Sequence, residues 1–211
     1  MEKRDSSGYL GIIISLLVFL VIFGSIQYLD AGIAVKVMRF LQFVRPLHKA
    51  TENIPDILPH LVVIGTILMW AIYFYRWHKK KIDVKTKFLL LAATALPAVY
   101  LFKTFLQFSF GRTSTRLWLT AGKPLIFHWF NGFETGSFPS GHMTVFTAFG
   151  TAVLLYYPQH LRLVLILLAI LGVSLIITDY HFLSDVIAGA YLGFITTYSL
   201  SYLLDKRRNK H

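Results

Sequence analysis

Long apolar blocks are the feature that most restricts what this chain can fold into. Residues 9–28 are dominated by Leu, Ile, Val, Phe and Gly, and the run is long enough to cross a hydrocarbon layer of roughly 30 Å as a helix. Hydrophobic residues make up 55% of the 211-residue chain, more than a soluble core of this size would hide. The pattern therefore predicts a membrane protein.

Six such blocks predict six transmembrane helices. The expected spans are residues 9–28, 58–75, 88–106, 142–157, 161–178 and 185–204. An uncleaved first span is preferred over a signal peptide, whose apolar core is normally shorter and ends in a small-residue cleavage site. The expected fold class is all-α: a polytopic six-transmembrane-helix bundle that forms a single membrane domain over residues 1–211.

The segment 29–56, between the first two spans, carries a second kind of helical pattern. In residues 32–49, apolar side chains recur at helical spacing with basic side chains among them. This pattern predicts an amphipathic helix lying in the membrane interface. A short connecting helix that covers the bundle fits the same residues equally well.

Charge indicates orientation and partners. The formal net charge of +11 lies mainly on short segments between apolar blocks, which favours anionic lipid headgroups over nucleic acid as partner. Basic clusters at 3–4, 79–87 and 206–208 predict that both termini are cytoplasmic. The loops 107–139 and 179–184 then face outward with the segment 29–57, although Arg39, Arg45 and Lys49 run against the rule there.

Polar residues of the types that take part in catalysis and anion binding lie at the outer ends of the predicted spans. Ser140 and Gly141 precede the fourth span, where unpaired backbone N–H groups and the helix dipole favour an anion. Gly141 allows a phosphate to approach the backbone, Ser140 can donate a hydroxyl, and His142 can donate a proton. The alternative is that Ser140 is an ordinary helix N-cap.

His181 and Asp185 form a second polar pair, at the start of the last span. Four residues apart on a helix, they share one face, so the carboxylate can fix one ring nitrogen and leave the other to attack. The alternatives are a polar pair that only caps the span, or a metal site with His142 as third ligand. Because the chain has no cysteine, thiolate chemistry and disulfides are excluded.

The sequence Pro139-Ser140-Gly141-His142, followed by His181-x-x-x-Asp185, resembles the type-2 phosphatidate phosphatase (lipid phosphate phosphatase) superfamily. The resemblance covers about residues 57–204 and implies a membrane lipid phosphatase that needs no metal or other cofactor. It implies that His181 attacks phosphorus to form a phosphohistidine, that Asp185 supports it, and that His142 protonates the leaving alkoxide. It also implies a multi-pass protein of a bacterial-type cytoplasmic (inner) membrane, with its active site facing the periplasm or exterior.

Two departures from the family pattern concern the cations that hold phosphate. Leu175 stands where the family's third motif has Arg, and the first motif is matched only by Lys103 followed by Arg112, or by an alignment that puts Gln107 at the lysine position. The expected phosphate-binding residues are Lys103, Arg112, Arg116, Ser140 and Gly141.

The departures leave two other functions open beside the lipid phosphatase. A phosphotransferase would use the same phosphohistidine, and a catalytically weak or inactive lipid-phosphate-binding protein would explain the missing arginine. A transporter or channel is disfavoured, because no charge pair is seen in the middle of the spans.

Overall fold

The computed structural model of the protein describes residues 2–41, 57–132 and 136–208. Its α-helices are α1 (Glu2–Gly24), α2 (Asp30–Leu41), α3 (Leu58–His78), α4 (Val84–Phe110), α5 (Thr115–Ala121), α6 (Gly141–Tyr156), α7 (Leu161–Ile177) and α8 (Leu183–Arg208). Within these ranges β pairing is limited to one isolated bridge. The all-α prediction is confirmed.

The predicted spans coincide with helices. Those long and apolar enough to cross a membrane are Tyr9–Phe40, Leu58–His78, Val84–Phe110, Pro158–Ile177 and Leu183–Lys206. The remaining predicted span is α6, which is shorter: its 16 residues reach about 24 Å at the usual rise per residue. Buried residues run along α6 from Gly141 to Ala152, so this helix lies at the centre of the bundle. The chain is a multi-pass membrane protein.

The segment predicted as an interfacial helix continues the first span. A π-helical turn, Ser25–Leu29, joins α1 to α2 without a break, because residues 24–41 contain no proline to end the helix. Residues 32–41 are therefore helical, as predicted, whereas residues 42–49 lie outside the described part of the chain. The unbroken helix carries Asp30 to the level at which α8 begins, where it contacts Ser184.

Close packing of α6 against α8 sets the position of the polar residues at their starts. A Cβ atom at Gly189 would lie 2.6 Å from the carbonyl oxygen of Ser140, and one at Gly193 would lie 2.2 Å from that of Thr144. Only glycine allows the two backbones to approach this closely. Since α4 packs against α6 and α8 as well, the ends of three helices meet at one place.

The basic turn between α3 and α4 lies at the far end of the bundle. Asp83 caps α4 by accepting a hydrogen bond from the Thr86 N–H at 3.0 Å, and its other oxygen lies 2.5 Å from the Arg76 guanidinium. The bond to Arg76 favours the carboxylate and holds the pKa of Asp83 well below its usual range. From this turn α4 runs about 40 Å to its other end, near Gly111.

Candidate active site

The start of α6 is built by Ser140 and Gly141. The Ser140 hydroxyl is fully buried and accepts a hydrogen bond from the Met143 N–H at 3.3 Å. Ser140 therefore caps the helix, which is the alternative that the sequence left open. A polar cavity of about 340 Å³ lies beside this helix start, and Ser140 does not line it. Gly141 does line it, and a Cβ atom there would lie 3.2 Å from the Lys103 Nζ atom. The amine is thus held directly over the helix N-terminus.

The two motifs are joined through Asp185. Its backbone oxygen accepts a hydrogen bond from the Ser140 N–H at 3.0 Å, which ties the start of α8 to that of α6. Its side chain is fully buried, and one oxygen lies 3.5 Å from Nδ1 of His181. This arrangement turns Nδ1 toward the carboxylate, so the other ring nitrogen, Nε2, is the one available for chemistry.

The carboxylate of Asp185 is itself held by three donors. Arg112 Nη1 lies 2.5 Å from Oδ1, while the Ser137 hydroxyl and the Phe182 N–H donate to Oδ2 at 3.1 and 3.2 Å. Charge-assisted and buried, these bonds leave the carboxylate little freedom to rotate. Asp185 is therefore a fixed carboxylate beside the imidazole of His181, 3.5 Å from Nδ1 and without a hydrogen bond to it in this structure.

A polar cavity of about 340 Å³ opens in front of His181. The residues that line it come from both motifs, from α4 and from the loop after it: Leu58, Lys103, Gln107, Ser114, Arg116, Gly136, Ser137, Gly141, His142, Tyr180 and His181. Two larger grooves elsewhere are lined almost entirely by hydrocarbon. A phosphate group needs donors and cations, so the polar cavity is the candidate site.

Lys103 lies at this cavity and is nearly buried. Its Nζ donates to the Gln107 side chain at 3.0 Å and lies 4.6 Å from the centre of the Tyr100 ring. Gln107 in turn donates to the Pro139 carbonyl oxygen at 2.9 Å. The two residues that competed for the lysine position of the first motif therefore lie side by side, one helical turn apart on α4.

Arg116 reaches the same cavity from α5, held by the segment that leads to His181. Its guanidinium lies 4.9 Å from the centre of the Tyr180 ring and donates to the Thr178 carbonyl oxygen at 3.2 Å. The Tyr180 ring also lies 5.5 Å from the His142 ring and 5.3 Å from the His181 ring, edge to face in both cases. Tyr180 thus packs between both histidines and this cation.

Arg112 is placed differently from the prediction that it contacts phosphate directly. Its side chain is 1% exposed and does not line the cavity. The guanidinium instead bridges two buried carboxylates, at 2.5 Å from Asp185 and 2.7 Å from Asp30. It lies 4.3 Å from the centre of the ring of Phe182, the residue that follows His181.

Leu175, at the position of the family's missing arginine, packs in an apolar cluster with Met143 and Val186. Its backbone oxygen accepts hydrogen bonds from the Tyr180 and His181 N–H groups, so the position still shapes the turn before α8.

Three residues at or beside the cavity were not predicted from the sequence: Tyr180, Ser137 and Asp30. The available signal was that Asp30 is the one acidic residue between Asp5 and Glu52.

The metal alternative is not supported by a ligand cluster. Among the residues that the structure describes, no three His, Cys, Asp or Glu side chains are grouped so as to hold a metal ion. Glu134, an acidic residue near the predicted site, lies outside the described residues.

Comparison with known proteins gives one family. The family model of the PAP2 superfamily matches residues 87–209, which is more than half of the chain. A solved structure, the transmembrane PAP2-type phosphatidylglycerolphosphate phosphatase from Bacillus subtilis, is similar over 93% of this chain and 96% of that one, at 19% identity and a TM-score of 0.46. The search of curated proteins finds no significant match.

Proposed function

The chain belongs to the PAP2 superfamily, and we propose that it hydrolyses a lipid phosphate or diphosphate monoester through a phosphohistidine on His181. The observation that carries the proposal is the cavity in which His181, backed by Asp185, faces His142 and two cations. Nucleophile, orienting carboxylate, acid and charge compensation are the parts that phosphoryl transfer through histidine requires.

In the first step Nε2 of His181 attacks phosphorus. The bond between phosphorus and the leaving oxygen breaks, and protonated His142 gives its proton to that oxygen, so that a lipid alcohol departs from a lipid phosphate and a lipid monophosphate departs from a diphosphate. Asp185 supports the imidazole through Nδ1 while positive charge develops on the ring.

In the second step water attacks the phosphohistidine. His142, now neutral, takes the proton from the water, and the bond between phosphorus and nitrogen breaks. Orthophosphate leaves and His181 is restored. The same histidine therefore acts as acid in the first half and as base in the second.

The phosphate oxygens are held by Lys103, Arg116 and the backbone at Gly141. These groups line the cavity from α4, α5 and the N-terminus of α6, so cations and backbone N–H groups approach the negatively charged phosphate from three sides. Ser140 acts by capping α6 and keeping that terminus in place. With Leu175 apolar, Arg116 held on the Tyr180 ring is the cation that takes the place of the missing arginine.

The proposal is tested by phosphate release from four lipids in detergent micelles: phosphatidate, phosphatidylglycerol phosphate, a polyprenyl diphosphate and lipid A phosphate. Turnover of at least one lipid by purified wild-type protein, and none by His181→Ala, supports hydrolysis. Transfer of labelled phosphate to an added lipid alcohol would assign the phosphotransferase function instead. Saturable lipid binding without either reaction would leave a lipid-phosphate-binding protein.

Activity is expected to survive chelation, because every group in the proposed steps is a side chain or a backbone N–H. Phosphate release measured in excess EDTA should stay within about twofold of the untreated rate, a change too small for the loss of a catalytic ion. Activity that is lost in EDTA and restored by zinc would instead place His142 and His181 in a metal site.

The cavity is expected to face the periplasm or exterior, with the basic turn between α3 and α4 in the cytoplasm. Because the chain has no cysteine, single cysteines at the exposed positions Lys123 and Lys81 report the two sides. Labelling of position 81 but not 123 by an impermeant maleimide on intact cells would reverse the topology.

A further inference from the structure

Asp30 is a buried acid that the reaction proposed above does not use. It lies on the long N-terminal helix, before the region matched by the family, and its side chain is 1% exposed. One oxygen lies 2.7 Å from Arg112 Nη2 and also accepts a short hydrogen bond from the Ser184 hydroxyl. The other accepts a hydrogen bond from the Ser184 N–H at 3.0 Å. A buried carboxylate with this many partners marks a fixed position.

We propose that Asp30 is a positioning residue of the active site, acting through Arg112 on Asp185 and thereby on His181. This proposal rests on the proposed function, in which His181 is the nucleophile. The guanidinium has one nitrogen on each carboxylate, Nη1 on Asp185 and Nη2 on Asp30, so the orientation of one end depends on the other. Arg presents such paired donors in a rigid fork, which lysine cannot do.

Charge gives Asp30 a second effect on the nucleophile. Asp30 and Asp185 share one guanidinium, so the buried group carries one net negative formal charge. Without Asp30 the guanidinium would neutralise Asp185 alone, and the carboxylate would bind the imidazole less strongly. With Asp30 present, negative charge remains beside the ring when positive charge develops on it during attack.

A purely structural attachment of the continuous N-terminal helix (α1 and α2) to α8 is the competing explanation, and the chain offers a matched control for it. The Tyr191 hydroxyl donates to Ser15 at 2.6 Å, which attaches the α1 part of the same continuous helix to α8 without involving a charge. Tyr191→Phe removes that bond and keeps the ring. Loss of helix attachment affects both variants, whereas loss of positioning affects Asp30 alone.

The experiment compares kcat and KM for phosphate release by folded wild-type protein, Asp30→Asn, Asp30→Glu and Tyr191→Phe. Asp30→Asn should lower kcat about tenfold, the usual cost of losing a partner behind a functional side chain, with KM unchanged because Asp30 does not line the cavity. Asp30→Glu should recover most of kcat, and Tyr191→Phe should match wild type. In an Asp185→Asn background, Asp30→Asn should add less than about a twofold loss.

Several results would overturn the proposal. These are unchanged kcat in Asp30→Asn, a rise in KM that accounts for the whole loss, or an equal loss in Tyr191→Phe. If Asp30→Asn does not fold, Asp30→Glu decides. A fall in kcat of about two- to threefold at unchanged KM supports positioning, and wild-type kcat contradicts it. Failure of the proposed function is separate, since wild-type protein would then release no more phosphate than His181→Ala.

Discussion

Replacing His181 with alanine is expected to reduce phosphate release by about 10⁴-fold or more, a loss typical of removing a covalent nucleophile. The imidazole lines the cavity, and its Nδ1 is turned toward a carboxylate that three donors hold in place. The variant should still fold, because the change trims a side chain at a cavity wall rather than in a packed cluster. Initial rates with the best lipid of the panel, at matched protein concentration, provide the measurement.

His160→Ala is the matched control for that change. His160 is exposed in the turn between α6 and α7, at the end of α6 opposite to the cavity, and should leave turnover unchanged. A second measurement looks for the intermediate: wild-type protein quenched during turnover of ³²P-labelled lipid should carry label that is stable in alkali and labile in acid. Label retained by His181→Ala would show that another residue forms the covalent bond.

The helical framework could be predicted because apolar blocks of span length leave few alternatives. Predicted and observed spans agree to within a few residues at α3, α4, α6, α7 and α8. The continuation of the first span into α2 is not predicted, because the uniformly apolar run of residues 9–28 gives way to a pattern with basic residues among the apolar ones, and that change is interpreted as a new helix. The structure joins the two patterns through the π-helical turn Ser25–Leu29.

The residues of the cavity could be predicted where short sequence motifs and span order place them, but not where their position depends on a contact between distant parts of the chain. His142, His181 and Gly141 stand at helix starts, and spans of alternating direction bring those starts to one side of the bundle, as the cavity shows. The place of Arg112 could not be read in this way, because its partner Asp30 lies 82 residues earlier in the chain. A cation near a phosphate-binding motif is expected to bind phosphate. Only the tertiary structure shows that Arg112 instead binds the buried carboxylate of Asp30.

That carboxylate changes what the loss of Arg112 is expected to do. Removing Arg112 alone would leave Asp30 and Asp185 buried together without a cation, at a cost of about 3–5 kcal/mol, which is expected to prevent folding. The double variant Asp30→Asn/Arg112→Met reduces this cost, since only Asp185 then stays buried without a cation and the net charge of the group is still one negative charge. Arg112→Lys is the conservative companion, with the charge but without the fork.

The double variant is expected to fold and to lose about 10²-fold or more in kcat, the size of one lost charged contact at a reacting centre. Binding of inorganic phosphate, measured as product inhibition, should stay within about twofold of wild type, because Arg112 does not line the cavity. Lys103→Ala should weaken that inhibition, because its amine lies over the start of α6. If the double variant instead weakened phosphate binding as much as Lys103→Ala does, the result would show that Arg112 contacts phosphate directly. Near-normal turnover would show that Asp185 holds His181 without help from Arg112.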